Sequence, residues 1–136
     1  AARAKSREIA RFSPVQFAPP AKAPDGYPLT LLTGTILHHF GSGTRSFMAS
    51  RLKKFSPRSW VEIGTADAER LGLNESNRVK IISSAGEATA SVRITDTLPP
   101  GTLFMPISFP DSKVMELFDL QSPSLKSCAV RLERTS

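Results

Sequence analysis

The residues best able to do chemistry are crowded into one run: Leu29-Thr30-Leu31-Leu32-Thr33-Gly34-Thr35-Ile36-Leu37-His38-His39-Phe40-Gly41-Ser42-Gly43-Thr44-Arg45. An apolar stretch enters a Thr-Gly turn, passes two adjacent histidines and leaves through Gly-Ser-Gly-Thr. Glycines let a backbone approach a phosphate closely, amides and hydroxyls donate to its oxygens, and imidazole or guanidinium adds donors or charge. Together these form a phosphate or dinucleotide grip. The next segment carries Arg45, Arg51, Lys53, Lys54 and Arg58 with no acid up to residue 58. Positive charge is therefore concentrated beside the grip, although a basic run also describes a solvated face.

Other chemistries lack their residues. One cysteine cannot form an internal disulfide, no Cys/His cluster has zinc-like spacing, and no carboxylate pair has a recognisable acid–base arrangement. No catalytic residue and no metal ligand is assigned. Cys128 alternates with Val130 and Leu132 on one face of an expected strand, so it reads as a small core hydrophobe rather than a nucleophile.

The elements that must position the grip follow from periodicity. Residues 1–28 form a basic, proline-rich arm, with Pro19, Pro20 and Pro24 forbidding regular structure and Arg11–Phe17 a possible edge strand. Residues 29–136 form one domain. Leu29–Thr33 reads as a buried strand ended by Gly34, and Trp60–Ile63 as another with Val61 and Ile63 on one face. Thr65–Leu73 reads as a two-turn helix, with Thr65 as its cap and Gly72 as its stop. Arg78–Ser83 and Glu87–Thr95 make a hairpin around Ser84-Ala85-Gly86, in which Ala88, Ala90, Val92 and Ile94 face inward. Thr102–Phe109 is an apolar strand that Pro106 must bend or place at an edge. Asp111–Phe118 offers a short helix, and Lys126–Glu133 closes the chain as a strand. About six short strands with few helices make the fold mainly β, a small barrel with a helix over its mouth.

Of the 136 residues, 40% are hydrophobic, enough for one core. The 18 Lys+Arg against 12 Asp+Glu leave a net charge of +6, a surface that attracts anions. A nucleic-acid partner is disfavoured, because aromatic residues near the basic segment are limited to Phe47, Phe55 and Trp60 and the histidines would have no role. A barrel that keeps only a docking role is the blander reading. No run of about 18 apolar residues is present to span a membrane, and a soluble, cytoplasmic protein is expected.

The chain resembles the C-terminal molybdopterin-dinucleotide-binding domain of the molybdenum and tungsten oxidoreductases, especially the formate dehydrogenase catalytic subunit. The resemblance is carried, in order, by Arg11–Val15 with Pro19-Pro20, Tyr27-Pro28-Leu29 with Thr33-Gly34, His39 with Gly43-Thr44, and Val61-Glu62-Ile63. Asp67-Ala68 with Leu71-Gly72, Pro100-Gly101, Phe104-Met105-Pro106 with Phe109, and Lys126 with Cys128-Ala129-Val130 continue it. It implies a double-psi β-barrel that holds molybdopterin guanine dinucleotide, with molybdenum or tungsten ligated outside this chain and the remaining domains or subunits of the oxidoreductase as partners. It also implies that Thr33, Gly34, Thr35, His39, Ser42, Gly43, Thr44 and Arg45 line the pterin and pyrophosphate, with Ser108, Phe109 and Lys126 nearby. His38 matches a position often aromatic in the family. Thr35 stands where the family commonly has Arg, Arg45–Met48 replaces a Met-Thr-Arg-Arg run, and Met115–Pro123 is a shorter loop without the usual Asn. The chain alone is expected to be catalytically inert.

Overall fold

The computed structural model describes residues 13–14, 24–119 and 127–135. Most of the 1–28 arm, the second half of the 115–123 loop and Lys126 lie outside the described residues.

Among the described residues, alternating apolar residues build six strands: β1 (Leu29–Gly34), β2 (Trp60–Gly64), β3 (Arg78–Ser83), β4 (Glu87–Thr95), β5 (Thr102–Pro106) and β6 (Ser127–Thr135). They close into a barrel in the order β1-β5-β2-β4-β3-β6. β1 runs parallel to β5 and β2 parallel to β4, whereas the remaining seams are antiparallel. Parallel neighbours cannot be joined by a tight hairpin, so the chain crosses the barrel between them, which gives the double-psi arrangement. Among the described residues, closure leaves no free strand edge to recruit another chain.

Period two decides which side chains fill the barrel. Leu29 and Leu31, Val61 and Ile63, Val79 and Ile81, Leu103 and Met105, and Val130 all point inward and are buried. Ala88 and Ala90 keep β4 close to its neighbours, and Val92 and Ile94 continue the same face, as the alternation predicts. Cys128 sits opposite Leu31 and packs against this core.

The helix α2 (Thr65–Leu71) leaves β2 without an intervening loop. Its N-cap is therefore Gly64 rather than Thr65, whose hydroxyl reaches toward the Thr95 carbonyl at 3.5 Å. Gly72 ends the helix as expected, at φ 63°, with its N–H donated to the Ala68 and Glu69 carbonyls. From α2 the buried carboxylate of Asp67 accepts from the Gly101 backbone N–H and from Arg70, which ties the helix to the turn before β5. These two bonds hold its carboxyl below the ordinary range, the Arg70 bond having the larger effect.

Three elements differ from the sequence reading. The basic segment contains a single 3-10 turn at Ser46–Met48 and a short helix, α1 (Ser50–Phe55), neither of which periodicity signals because neither buries a residue. The expected helix at Asp111–Phe118 is two 3-10 turns, Pro110–Ser112 and Val114–Leu117, broken where Lys113 adopts a left-handed φ of 55°. β5 stops at Pro106, and Ile107, Ser108 and Phe109 leave the sheet. That departure brings them to the run between Gly34 and Arg45.

Candidate functional site

Residues 33–45 form an arc seated on the segment that follows β5. At its start, the Ile107 N–H donates to the Gly34 carbonyl, extending the parallel β1/β5 pairing by one bond past the sheet. At its middle, the Ser108 hydroxyl donates to the His39 carbonyl at 3.2 Å in a buried bond. Near its end, Gly43 adopts φ 79° and lies so close to the Ser108 carbonyl that a Cβ would collide with that oxygen and sit 3.0 Å from its carbon. Only glycine suits both the conformation and the space.

His39 is completely buried. Its Nε2 lies 2.9 Å from the Ser56 carbonyl oxygen. A carbonyl can only accept, so Nε2 carries the hydrogen of this bond. Nδ1 is buried and has no hydrogen-bond partner among the described residues. The ring stacks on Phe47 with centroids 4.4 Å apart and meets the edge of Phe109 at 5.4 Å. Phe109 in turn packs edge-on against Phe47 and Trp60. Offset and edge-on ring contacts each add a modest stabilisation beyond burial, so this aromatic cluster fastens the arc to the barrel.

The other arc residues face outward. Thr35, Ser42, Thr44 and Arg45 are exposed, and Thr33 is half-buried. The Ser42 and Thr44 hydroxyls lie 2.9 Å apart, a hydrogen-bonded pair at the tip. The Gly43 carbonyl accepts from the Phe47 N–H and the Ser46 hydroxyl, which closes the turn behind them. Beyond the tip, Arg51, Lys53, Lys54 and Arg58 are exposed. His38 is exposed and stacks on Phe55 at 5.4 Å.

The structure thus brings together the buried His39, Gly43, Ser108 and Phe109 with the half-buried Gly34 in one seam, and leaves Thr35, Ser42, Thr44 and Arg45 exposed and Thr33 half-buried. Sequence reasoning missed Phe47 and Ser56, which hold His39 in place. An aromatic residue inside an otherwise basic run was the available signal for Phe47; a backbone acceptor 17 residues away leaves none. The donor set is suited to an anionic group, because the arc offers exposed hydroxyls and a guanidinium on a backbone held in place by its glycines. Among the described residues no group of three or more His, Cys, Asp or Glu is placed to hold a metal ion, and no helix is long and apolar enough to cross a membrane.

Comparison with known proteins adds an independent line. A family model described as "Molydopterin dinucleotide binding domain" matches residues 29–129. The F420-dependent formate dehydrogenase subunit alpha of Methanocaldococcus jannaschii is 35% identical over 131 residues, covering 91% of this chain and 20% of that protein. The F420-dependent formate dehydrogenase 1 subunit alpha of Methanococcus maripaludis is 29% identical over 127 residues, 88% of this chain and 19% of its own length. The chain therefore spans about a fifth of the length of these curated relatives. Among solved structures, acetylene hydratase from Pelobacter acetylenicus superposes with a TM-score of 0.55 at 21% identity, covering 63% of this chain and 12% of that one. This last likeness concerns the fold.

Proposed function

Since this chain belongs to the molybdopterin dinucleotide binding domain family, we propose that its arc grips molybdopterin guanine dinucleotide for a formate dehydrogenase-like oxidoreductase. Thr33, Thr35, Ser42, Thr44 and Arg45 donate to the pyrophosphate and pterin, with Lys126 as a further cation. Gly34, His39, Gly43, Ser108 and Phe109 act beneath them, holding the arc in the shape that presents those donors. His39 serves as a positioning residue. Its Nε2–H is committed to Ser56, and its ring is sandwiched in the aromatic cluster.

The bound group would supply the molybdenum or tungsten that exchanges electrons with substrate; this chain binds and orients it. The barrel gives the arc a rigid base, so little ordering is needed when the anion arrives. Exposed Arg45, Arg51, Lys53, Lys54 and Arg58 raise the local positive potential and favour the pyrophosphate's approach. In this reading residues 1–28 are an arm leading into the 29–136 barrel. The remaining domains or subunits cover Leu37 and Phe40, which are 94% and 95% exposed here.

One observation carries the proposal: the arc is pinned to residues 107–108 by Gly34, His39 and Gly43 while its hydroxyls and Arg45 are left accessible. The test is the pterin content of the assembled native protein, read by fluorescence after oxidative release. Arg45→Gln and Thr44→Ala should lower it, and Gly43→Val should abolish it, with Lys113→Gln as the unaffected control. Full pterin content in all three arc variants would overturn the reading.

A further inference from the structure

Two cations stand outside the arc itself. Arg58, at the end of the basic segment, and Arg78, the first residue of β3, both line a cavity of about 180 Å³ between the β3–β4 wall and the 109–112 segment. Neither side chain makes an ion pair or hydrogen bond with a described residue. β4 contributes the Thr89 and Ser91 residues, Ser91 standing opposite Arg78 in the strand register. Phe47 and Phe109 form an apolar wall, and the same two rings pack on His39, so the aromatic cluster stands between this cavity and the arc.

Two further groups specify what the cavity would hold. Ser59, next to Arg58, has its hydroxyl oxygen sealed from solvent with no hydrogen-bond partner. A buried polar atom left unpaired is costly; rotation about its χ1 bond would turn the hydroxyl into the cavity that Ser59 lines, where an oxyanion would accept from it. Asp111 also lines the cavity and is without an ion-pair partner among the described residues. Its carboxylate repels an oxyanion that has no hydrogen, but it accepts a hydrogen bond from an oxyanion that still carries an O–H. The volume equals that of roughly six liquid waters. Guanidinium groups hold phosphate oxygens through paired, directional N–H bonds, more firmly than a point charge does.

We propose that this cavity is a second anion site, distinct from the cofactor arc, that takes a protonated phosphate group held by Arg58, Arg78 and the Ser59 hydroxyl and read by Asp111. The phosphate is either free orthophosphate or the head of a small monoester. In the monoester a neighbouring alcohol serves Asp111 in place of the phosphate O–H. Sulfate, which is fully ionised at neutral pH, has no hydrogen to give Asp111 and is selected against.

The test is a ¹H–¹⁵N NMR titration of the protein with inorganic phosphate, glycerol 3-phosphate and sulfate at matched ionic strength. Phosphate should give saturable shifts at the Ser59, Arg78, Ser91 and Asp111 amides. Tighter binding by the monoester would identify the ester as the physiological form, and tighter binding by orthophosphate the free ion. Arg58→Gln and Arg78→Gln should each weaken binding about tenfold, the worth of a charged hydrogen bond. Both residues are exposed, so the variant spectra should otherwise overlay the parent's. Arg51→Gln, on α1 outside the cavity, and Arg45→Gln, in the arc, should leave binding intact. The Arg45 variant separates failure of this proposal from failure of the cofactor reading. Asp111→Asn should close the gap between phosphate and sulfate. Shifts confined to residues 41–45, equal weakening by Arg51→Gln, or equal binding of sulfate by the unaltered protein would overturn the proposal.

Discussion

Replacing Gly43 by alanine tests the seam that holds the arc. Three costs add. A left-handed backbone with a Cβ costs roughly 1–2 kcal/mol. The new carbon would collide with the Ser108 carbonyl oxygen and crowd the Phe47 ring at 3.1 Å. Both Gly43 Cα and the Ser108 carbonyl are backbone, so no rotamer change relieves the first contact, and the arc must lift. Lifting breaks the Ser108–His39 hydrogen bond, worth about 1 kcal/mol, and loosens the His39–Phe47 stack, worth about 0.5–1.5 kcal/mol. The total is roughly 2.5–4.5 kcal/mol. Gly41→Ala is the matched control, because Gly41 also has a positive φ, of 55°, but nothing within 4 Å of its would-be Cβ. It should cost about 1–2 kcal/mol from conformation alone.

The predicted difference, about 2 kcal/mol, is read in urea through Trp60 fluorescence as a midpoint about 1 M lower for Gly43→Ala than for Gly41→Ala. If the arc instead opens locally while the barrel stays folded, the same energy appears as about thirtyfold faster hydrogen exchange at the Ile107 amide, which bonds the Gly34 carbonyl. Equal midpoints for the two variants together with unchanged Ile107 protection would refute the reasoning.

Asp67→Asn should cost about 1–3 kcal/mol at pH 7, since it weakens the acceptor for a buried Gly101 N–H and for Arg70. The Asp67 carboxyl titrates below its ordinary value of 3.8 in the folded protein, so the unfolded chain takes up the proton first as pH falls. This stabilisation is complete above about pH 5 and is lost as pH drops through 3.8 toward the lower folded value. The stability gap between parent and variant, measured by urea titration at pH 7 and pH 3, should therefore shrink at the acid end. Burial pushes the Cys128 thiol up to about 11, so its alkylation by iodoacetamide at pH 8 should be far slower than that of a free thiol and should accelerate on unfolding. Gly86→Ala should destabilise the β3–β4 hairpin by roughly 1–3 kcal/mol in thermal melts, because the added Cβ would lie 2.5 Å from the Glu116 carbonyl oxygen. Purified chain without partner subunits should not oxidise formate; turnover in that preparation would remove the division of labour proposed above.

Much of the barrel was legible in order. Strands whose inner face alternates, such as Val61/Ile63 and Ala88/Ala90/Val92, announce themselves because burial imposes period two on side-chain polarity. Gly72 marked a helix end for an equally local reason, the left-handed conformation it adopts. Elements that bury nothing, such as α1, left no such trace, and the break at Lys113 depends on a conformation that lysine does not advertise. The cap at Gly64 was hidden by a direct strand-to-helix passage, where position in the sheet outweighs the side-chain preference of Thr65.

From the sequence alone came the composition of the grip, the positive charge beside it, the six-strand barrel and the resemblance to a cofactor-binding family. All of these are local patterns or ordered motifs. Tertiary structure decided what the grip's residues do: His39 turns inward to Ser56 and Phe47, Gly43 is pressed against Ser108, and Thr35, Ser42, Thr44 and Arg45 remain outside. It also decided that Arg58 and Arg78 share a cavity with Ser59 and Asp111. The physical reason is sequence separation. The His39–Ser108 bond joins residues 69 positions apart, and the direction of a side chain at such a junction is set by the packing of two distant segments, which no local spacing encodes.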